Sequence, residues 1–150
     1  MLQRIQTVYL LLASICMVVS LLTHLAVFSI GGEMVRFEAM GFYMHEEIIF
    51  STWGLFIIGN ISAILSVLIV FLYKKRMMQI RLASMNLFMI LGYYGLTAFY
   101  ILKRNPEVSS SFEGVGIGMI TPFIALVLTY LAIRKIGADE ALIRSLNRIR

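Results

Sequence analysis

The chain has 150 residues, of which 60% are hydrophobic, with 13 basic and 8 acidic side chains and a single cysteine. That apolar fraction exceeds what the core of a soluble domain of this size needs, and the net charge of +5 follows membrane topology and anionic lipid rather than nucleic acid. One cysteine, Cys16, excludes an internal disulfide, a thiol redox pair and a cysteine-based zinc site, and with them the quinone-linked thiol oxidoreductases, which are also small four-helix membrane proteins.

Four stretches contain no Asp, Glu, Lys or Arg: residues 5–30, 48–73, 82–102 and 114–133. A run of about 18 or more apolar residues is long enough to cross a bilayer as a helix. The expected fold is therefore all-α, a transmembrane four-helix bundle forming a single membrane domain over residues 1–150.

The first stretch follows Arg4 as an h-region follows an n-region. It is about twice the usual h-region length and no small-x-small site follows it, so it reads as an uncleaved span. Cys16 lies mid-span as a small packing residue. His24, beside Thr23 near the outer end, is the only ionisable group in the four stretches other than Cys16 and tyrosines. Its plain role is an interfacial histidine bonded to backbone or water; pairing with His45 at a metal is the sharper alternative.

The outer loop between spans one and two, residues 31–47, is partly apolar through Met34, Val35, Phe37, Met40, Phe42, Tyr43 and Met44. Gly31-Gly32 breaks the first helix and Gly41 offers a turn. Val35-Arg36-Phe37-Glu38 alternates as a short strand would. The loop is expected to form a small hairpin or interfacial cap, a lid over helix ends before a partner-binding surface. Glu46-Glu47 reads as a solvated helix start.

Span two opens on the interface aromatics Phe50 and Trp53 and closes at Tyr73. Asn60 lies at its middle, and Asn86 one turn into span three. An amide at such depth needs a partner, so both are assigned to interhelical contacts, with a polar substrate path as the alternative. Gly59 with Ala63, Ser62 with Ser66, and Gly114 with Gly118 are small-residue pairs at four-residue spacing that allow close helix approach. Phe99 and Tyr100 mark the outer end of span three; Tyr93 and Tyr94 lie deeper and need hydrogen-bond partners. Pro122 is expected to kink span four.

The cytoplasmic tail, residues 134–150, reads as an amphipathic helix capped by Asp139 and hinged at Gly137. Leu142, Leu146 and Ile149 share one face, and Glu140, Arg144 and Arg148 form a ladder on the other. Its basic residues suit an anionic leaflet or a docking partner.

Basic residues set the orientation. Arg4, Lys74, Lys75, Arg76, Arg81, Arg134, Lys135, Arg144, Arg148 and Arg150 fall on one side, against Arg36, Lys103 and Arg104 on the other. The richer side stays cytoplasmic, so both termini are expected inside. Lys74, Lys75, Arg76, Arg81, Arg134, Lys135, Arg144, Arg148 and Arg150 are then the expected lipid or partner contacts, and His24, Asn60 and Asn86 the interhelical polar contacts.

No hydrolase or transferase motif, P-loop or paired carboxylate within a span is present, and the spans lack the intramembrane acid that small multidrug antiporters use. No catalytic, cofactor-binding or metal residue and no cofactor is expected. The opening Met1-Leu2-Gln3-Arg4-Ile5-Gln6-Thr7-Val8-Tyr9, the basic Leu72-Tyr73-Lys74-Lys75-Arg76-Met77-Met78-Gln79-Ile80-Arg81 and the closing Asp139-Glu140-Ala141-Leu142-Ile143-Arg144-Ser145-Leu146-Asn147-Arg148-Ile149-Arg150 together resemble an uncharacterised family of short bacterial inner-membrane proteins with four predicted helices and a basic C-terminus. The resemblance extends over the chain and implies topology and setting, but no reaction. The expected function is a non-enzymatic accessory or interaction subunit of a bacterial inner membrane, bound to anionic lipid and to another protein or itself, and to no nucleic acid. The alternative is a small homo-oligomeric transporter or channel lined by Asn60, Asn86 and Thr121-Pro122.

Overall fold

The computed structural model describes residues 2–30, 32–73, 75–103 and 111–147, with the side chains of these residues except 2–4, 30, 111, 112, 144, 146 and 147. In chain order the elements are α1 (Leu2–Leu22), β1 (Ala26–Ile30), β2 (Glu33–Phe37), β3 (Gly41–Met44), β4 (Glu47–Ser51), α2 (Trp53–Phe71), α3 (Arg76–Lys103), β5 (Ser111–Val115) and α4 (Ile117–Asn147). The four helices are each long and apolar enough to cross a membrane by length and composition. α1 packs on α2 and α4, and α3 packs on the same two, so each helix has two neighbours.

The fold is not all-α. A five-stranded antiparallel sheet in the order β4-β3-β2-β1-β5 joins the helices at one end. The uncharged stretches run past the helices into it: β1 takes the end of the first, β4 the start of the second and β5 the start of the fourth. A short apolar run rich in β-branched and aromatic residues, such as Ala26–Ile30 or Ile48-Ile49-Phe50, suits a strand as well as a helix when judged by composition alone. The first two helices accordingly end or begin well inside their stretches, α1 at Leu22 and α2 at Trp53. α2 has 19 residues, close to the roughly 20 that a bilayer core requires.

The expected strand and hairpin within residues 31–47 are present, as β2 and its pairing with β3. Val35 and Phe37 are buried and Arg36 between them is exposed, the alternation of a half-buried strand. Phe37 stacks on Phe42 across the pair with centroids 4.3 Å apart. Ala26, Phe28, Val35, Phe37 and Phe42 share one core with Leu55 of α2 and Tyr93 of α3, so the sheet caps the bundle. Thr52 is the weld between sheet and helix. Its amide donates to Met40 O at 2.9 Å and its hydroxyl to Ala39 O at 3.1 Å, so it anchors the chain to the hairpin turn rather than capping α2. Glu46-Glu47, expected to start a helix, instead lies in the β3–β4 turn and the first residue of β4.

The tail is not a separate amphipathic helix. α4 runs unbroken for 31 residues through Gly137, about 46 Å at 1.5 Å per residue, well beyond a hydrocarbon core of about 30 Å. Asp139 therefore caps nothing; it accepts a hydrogen bond from the Gln6 side chain of α1. Arg148 and Arg150 lie outside the described residues.

Pro122 sits inside α4. Without a proline N–H, the carbonyl of Gly118 has lost its helical donor. Ser20 of α1 supplies the replacement, its hydroxyl donating to Gly118 O at 2.6 Å. Because that proton is committed, the Tyr93 hydroxyl is the donor in its 3.0 Å contact with Ser20 Oγ. Tyr94 donates to Met119 O at 2.6 Å. Both deep tyrosines thus find the partners they need at the proline turn.

Candidate functional site

Polar groups gather at three levels of the molecule: inside the bundle, on the outer face of the sheet, and at the opposite end near the α2–α3 connection.

Inside the bundle, Asn86 of α3 is fully buried. Its Oδ1 accepts from Ser62 Oγ at 2.8 Å and its Nδ2 donates to Ser66 Oγ at 2.8 Å. Ser62 and Ser66 lie one turn apart on α2, so the amide bridges two steps of one helix. Gly59 and Ala63 face α1 instead: a Cβ on Gly59 would meet a Leu21 methyl at 2.6 Å, and the Ala63 carbonyl accepts from Ser14 Oγ at 3.0 Å. Two small-residue pairs therefore serve two different helix contacts. The third does not act as a pair. A Cβ on Gly118 would stand 2.9 Å from the Thr23 and His24 carbonyl oxygens just past α1, whereas one on Gly114 would meet open space in β5. Asn60 is not an interhelical contact; its Nδ2 donates to Phe56 O of its own helix at 3.0 Å, as a short amide does when no neighbour faces it. Thr121 Oγ1 is enclosed and has no partner among the described residues.

On the sheet, the face turned away from the bundle carries Val27, Arg36 and Tyr43 in one cross-strand row. An open cleft of about 720 Å³ lies over this face, lined among others by His24, Glu33, Arg36, Tyr43 and His45, with Glu38 and Glu46 contributing further carboxylates. The two histidines thus line one cleft although they lie on different connections. His45 Nε2 is 3.1 Å from Glu33 Oε2, which ties the β3–β4 turn to the start of β2. No group of three or more His, Cys, Asp or Glu able to hold a metal ion occurs among the described residues. The cleft thus presents both signs of charge over the sheet, Arg36 beside Glu33, Glu38 and Glu46.

The turn at the cleft is strained. His45 and Glu46 have φ of 50° and 68°, the left-handed pair of a two-residue hairpin that Asn-Gly fills at lower cost. Replacing both, His45→Asn with Glu46→Gly, is expected to raise stability by about 1 kcal/mol, read as a higher unfolding midpoint in detergent. An unchanged or lower midpoint would mean that the His45–Glu33 contact outweighs the relieved strain.

At the opposite end, the predicted contacts Lys75, Arg81, Arg134 and Lys135 are exposed and Arg76 is half-buried. Lys75 and Arg76 line an open cavity of about 460 Å³ with Met77, Met78, Glu140 and Ile143. Arg76 Nη1 is enclosed without a partner among the described residues. Lys74 lies outside the described residues, as does the side chain of Arg144. Sequence reasoning missed Ser14, Ser20 and Glu33. Serine is common in membrane helices, and Glu33 acquires its role only from pairing across the hairpins.

A family model described as a domain of unknown function, DUF4293, matches residues 2–149. Neither a curated protein nor a solved structure matches the chain.

Proposed function

We propose, from the premise that the chain belongs to the DUF4293 family, that it is a small integral protein of a bacterial inner membrane and works as a non-enzymatic accessory or interaction subunit. Both termini lie in the cytoplasm in this reading. Its interaction devices are the basic inner loop and the projecting, basic end of α4, with the sheet as a folded cap on the outside.

The observation that carries the reading is the use made of polar groups within the bundle. Asn86, Ser62, Ser66, Ser20, Ser14 and Tyr93 each bond to another helix, which leaves them unavailable to a passing substrate. The four uncharged stretches carry no Asp, Glu, Lys or Arg, the intramembrane charges that transport and proton relay usually employ. The orientation is supported by the separation of charge: Lys75, Arg76, Arg81, Arg134 and Lys135 lie at one end, whereas Glu33, Glu38, Glu46, Glu47 and Glu113 lie on or beside the sheet. Basic segments resist translocation.

One observation favours the second reading, a small homo-oligomeric transporter or channel: the enclosed, unpartnered hydroxyl of Thr121 beside Pro122. The two readings separate in one experiment. The tagged protein is purified in nanodiscs, its mass and composition are determined, and Arg81→Glu with Arg134→Glu and Lys135→Glu is tested for retention of what co-purifies. A stoichiometric partner protein lost in that variant supports the interaction reading. A partner-free oligomer whose solute flux in liposomes falls in Thr121→Val overturns it.

A further inference from the structure

We propose that the inner end of the bundle holds a binding site for one anionic glycerophospholipid, with the phosphate seated between the start of α3 and the projecting part of α4. The proposal rests on the helices being membrane spans, and not on the choice between partner and transporter.

The local sequence sets out the chemistry. Lys75-Arg76 is followed at once by Met77-Met78, two cations and then two flexible apolar side chains. α3 begins at Arg76, so the helix holds Arg76, Met77 and Met78 in consecutive directions around its first turn. α4 brings Glu140 and Ile143 against them, enclosing the open cavity of about 460 Å³. This closure exists because α4 continues unbroken past Gly137; a helix hinged there would leave the start of α3 bare.

Among the described residues the lining has two cations and one carboxylate, an excess of positive charge that suits an anionic headgroup of the phosphatidylglycerol type. Within it the Arg76 guanidinium is incompletely satisfied: Nη1 is enclosed with no acceptor among the described residues. A buried charged donor without an acceptor is costly, and phosphate oxygens accept from a guanidinium in the geometry of its fork. Exposed Arg81, Arg134 and Lys135 lie at the same end and add to the local positive potential.

Depth and polarity select a lipid phosphate over a free one. Arg76 precedes by six residues the point where the uncharged stretch of α3 begins at Leu82, about 9 Å along the helix. That is the depth of headgroups beside a hydrocarbon core. Met77 and Met78 are each 46% exposed and Ile143 is 39% exposed. An inorganic phosphate leaves this apolar half of the cavity unmatched, whereas the glycerol and upper acyl carbons of a lipid cover it.

The test counts lipids. Protein is taken from nanodiscs of phosphatidylcholine containing a minor fraction of phosphatidylglycerol into mild detergent, and retained lipid is measured by native mass spectrometry. The expected result is one phosphatidylglycerol retained in preference to phosphatidylcholine. Arg76→Gln and, separately, Lys75→Gln should each weaken retention by about tenfold, the loss of one charge-assisted contact. Lys75 is an exposed loop residue, so that variant reports even where Arg76→Gln alters folding. Unfolding midpoints in pure phosphatidylcholine confirm that the variants compared are folded. Equal retention of the two lipids by the unaltered protein, or unchanged selectivity in Lys75→Gln, overturns the proposal. So does displacement of the retained lipid by millimolar inorganic phosphate, which would mark a free-anion site. Failure here leaves partner capture through Arg81, Arg134 and Lys135 intact, and failure of partner capture leaves lipid selectivity intact.

Discussion

Gly116→Ala is expected to lower stability by about 3 kcal/mol, the upper range for overpacking a close contact. A Cβ at Gly116 would stand 2.1 Å from the His24 carbonyl oxygen and 2.8 Å from its carbonyl carbon. These are backbone atoms, so no rotamer change relieves the clash. The His24 peptide must move, and it is held by the bonds that organise this corner: Gly116 N to Leu25 O at 2.9 Å and Gly118 N to His24 O at 3.1 Å. Displacing it pulls the end of α1 away from the start of α4 and disturbs the β1–β5 pairing beside it. Gly114→Ala, two residues earlier, is the control, because nothing lies within 4 Å of its added methyl; its effect should stay within about 0.5 kcal/mol. Unfolding midpoints in detergent read both. A Gly116→Ala midpoint equal to that of the unaltered protein would mean that the connection from α1 to β1 runs elsewhere.

The second large effect separates two asparagines that look alike in sequence. Asn86→Ala removes both hydrogen bonds across α2 and α3, and leaves Ser62 without an acceptor in a buried position. Single interhelical hydrogen bonds in membrane proteins contribute roughly 0.6 kcal/mol on average and up to about 1.7. With two bonds and the packing of a fully buried side chain lost, the expected cost is about 2 kcal/mol. Asn60→Ala loses only a bond to its own helix backbone and should change stability by less than about 0.5 kcal/mol. Equal losses for the two would contradict the assignment of Asn86 as the bridging residue. A flux phenotype in Asn86→Ala without a stability loss would turn the interaction reading toward the transporter one.

Several readings from sequence carry into the structure, and each concerns a local property. The number of apolar helices is visible because crossing a bilayer needs about 20 uncharged residues in a row, and chain composition displays that directly. The strand character of Val35-Arg36-Phe37 is visible in its alternation. The demand of Tyr93 and Tyr94 for partners is visible in their depth, though not which atoms answer it. Ser62 and Ser66 are recognisable as a close pair, and Asn86 as an amide in need of partners.

What fails to read from sequence depends on distant residues. Uncharged stretches read as helices to their ends, yet β1 pairs with β5, about 85 residues further along the chain. Nothing in Ala26–Ile30 alone distinguishes a strand with such a partner from one more helical turn. His24 and His45 line one cleft only because two hairpins lie side by side. Gly137 looks like a hinge where the helix in fact continues, since the contact between Gln6 and Asp139 holds α4 to α1 just past Gly137.

By itself the sequence determined how many helices are apolar enough to span a membrane, roughly where they lie, and which end gathers basic charge. Hydrophobic length and charge are properties of consecutive residues. Only the tertiary structure decided where helix gives way to sheet, which of two asparagines bridges helices, why Gly116 must lack a side chain, and that Lys75 and Arg76 share a cavity with Glu140. Hydrogen-bond pairing, close approach and enclosure all require a second segment, and its position is set by the packing of the whole chain.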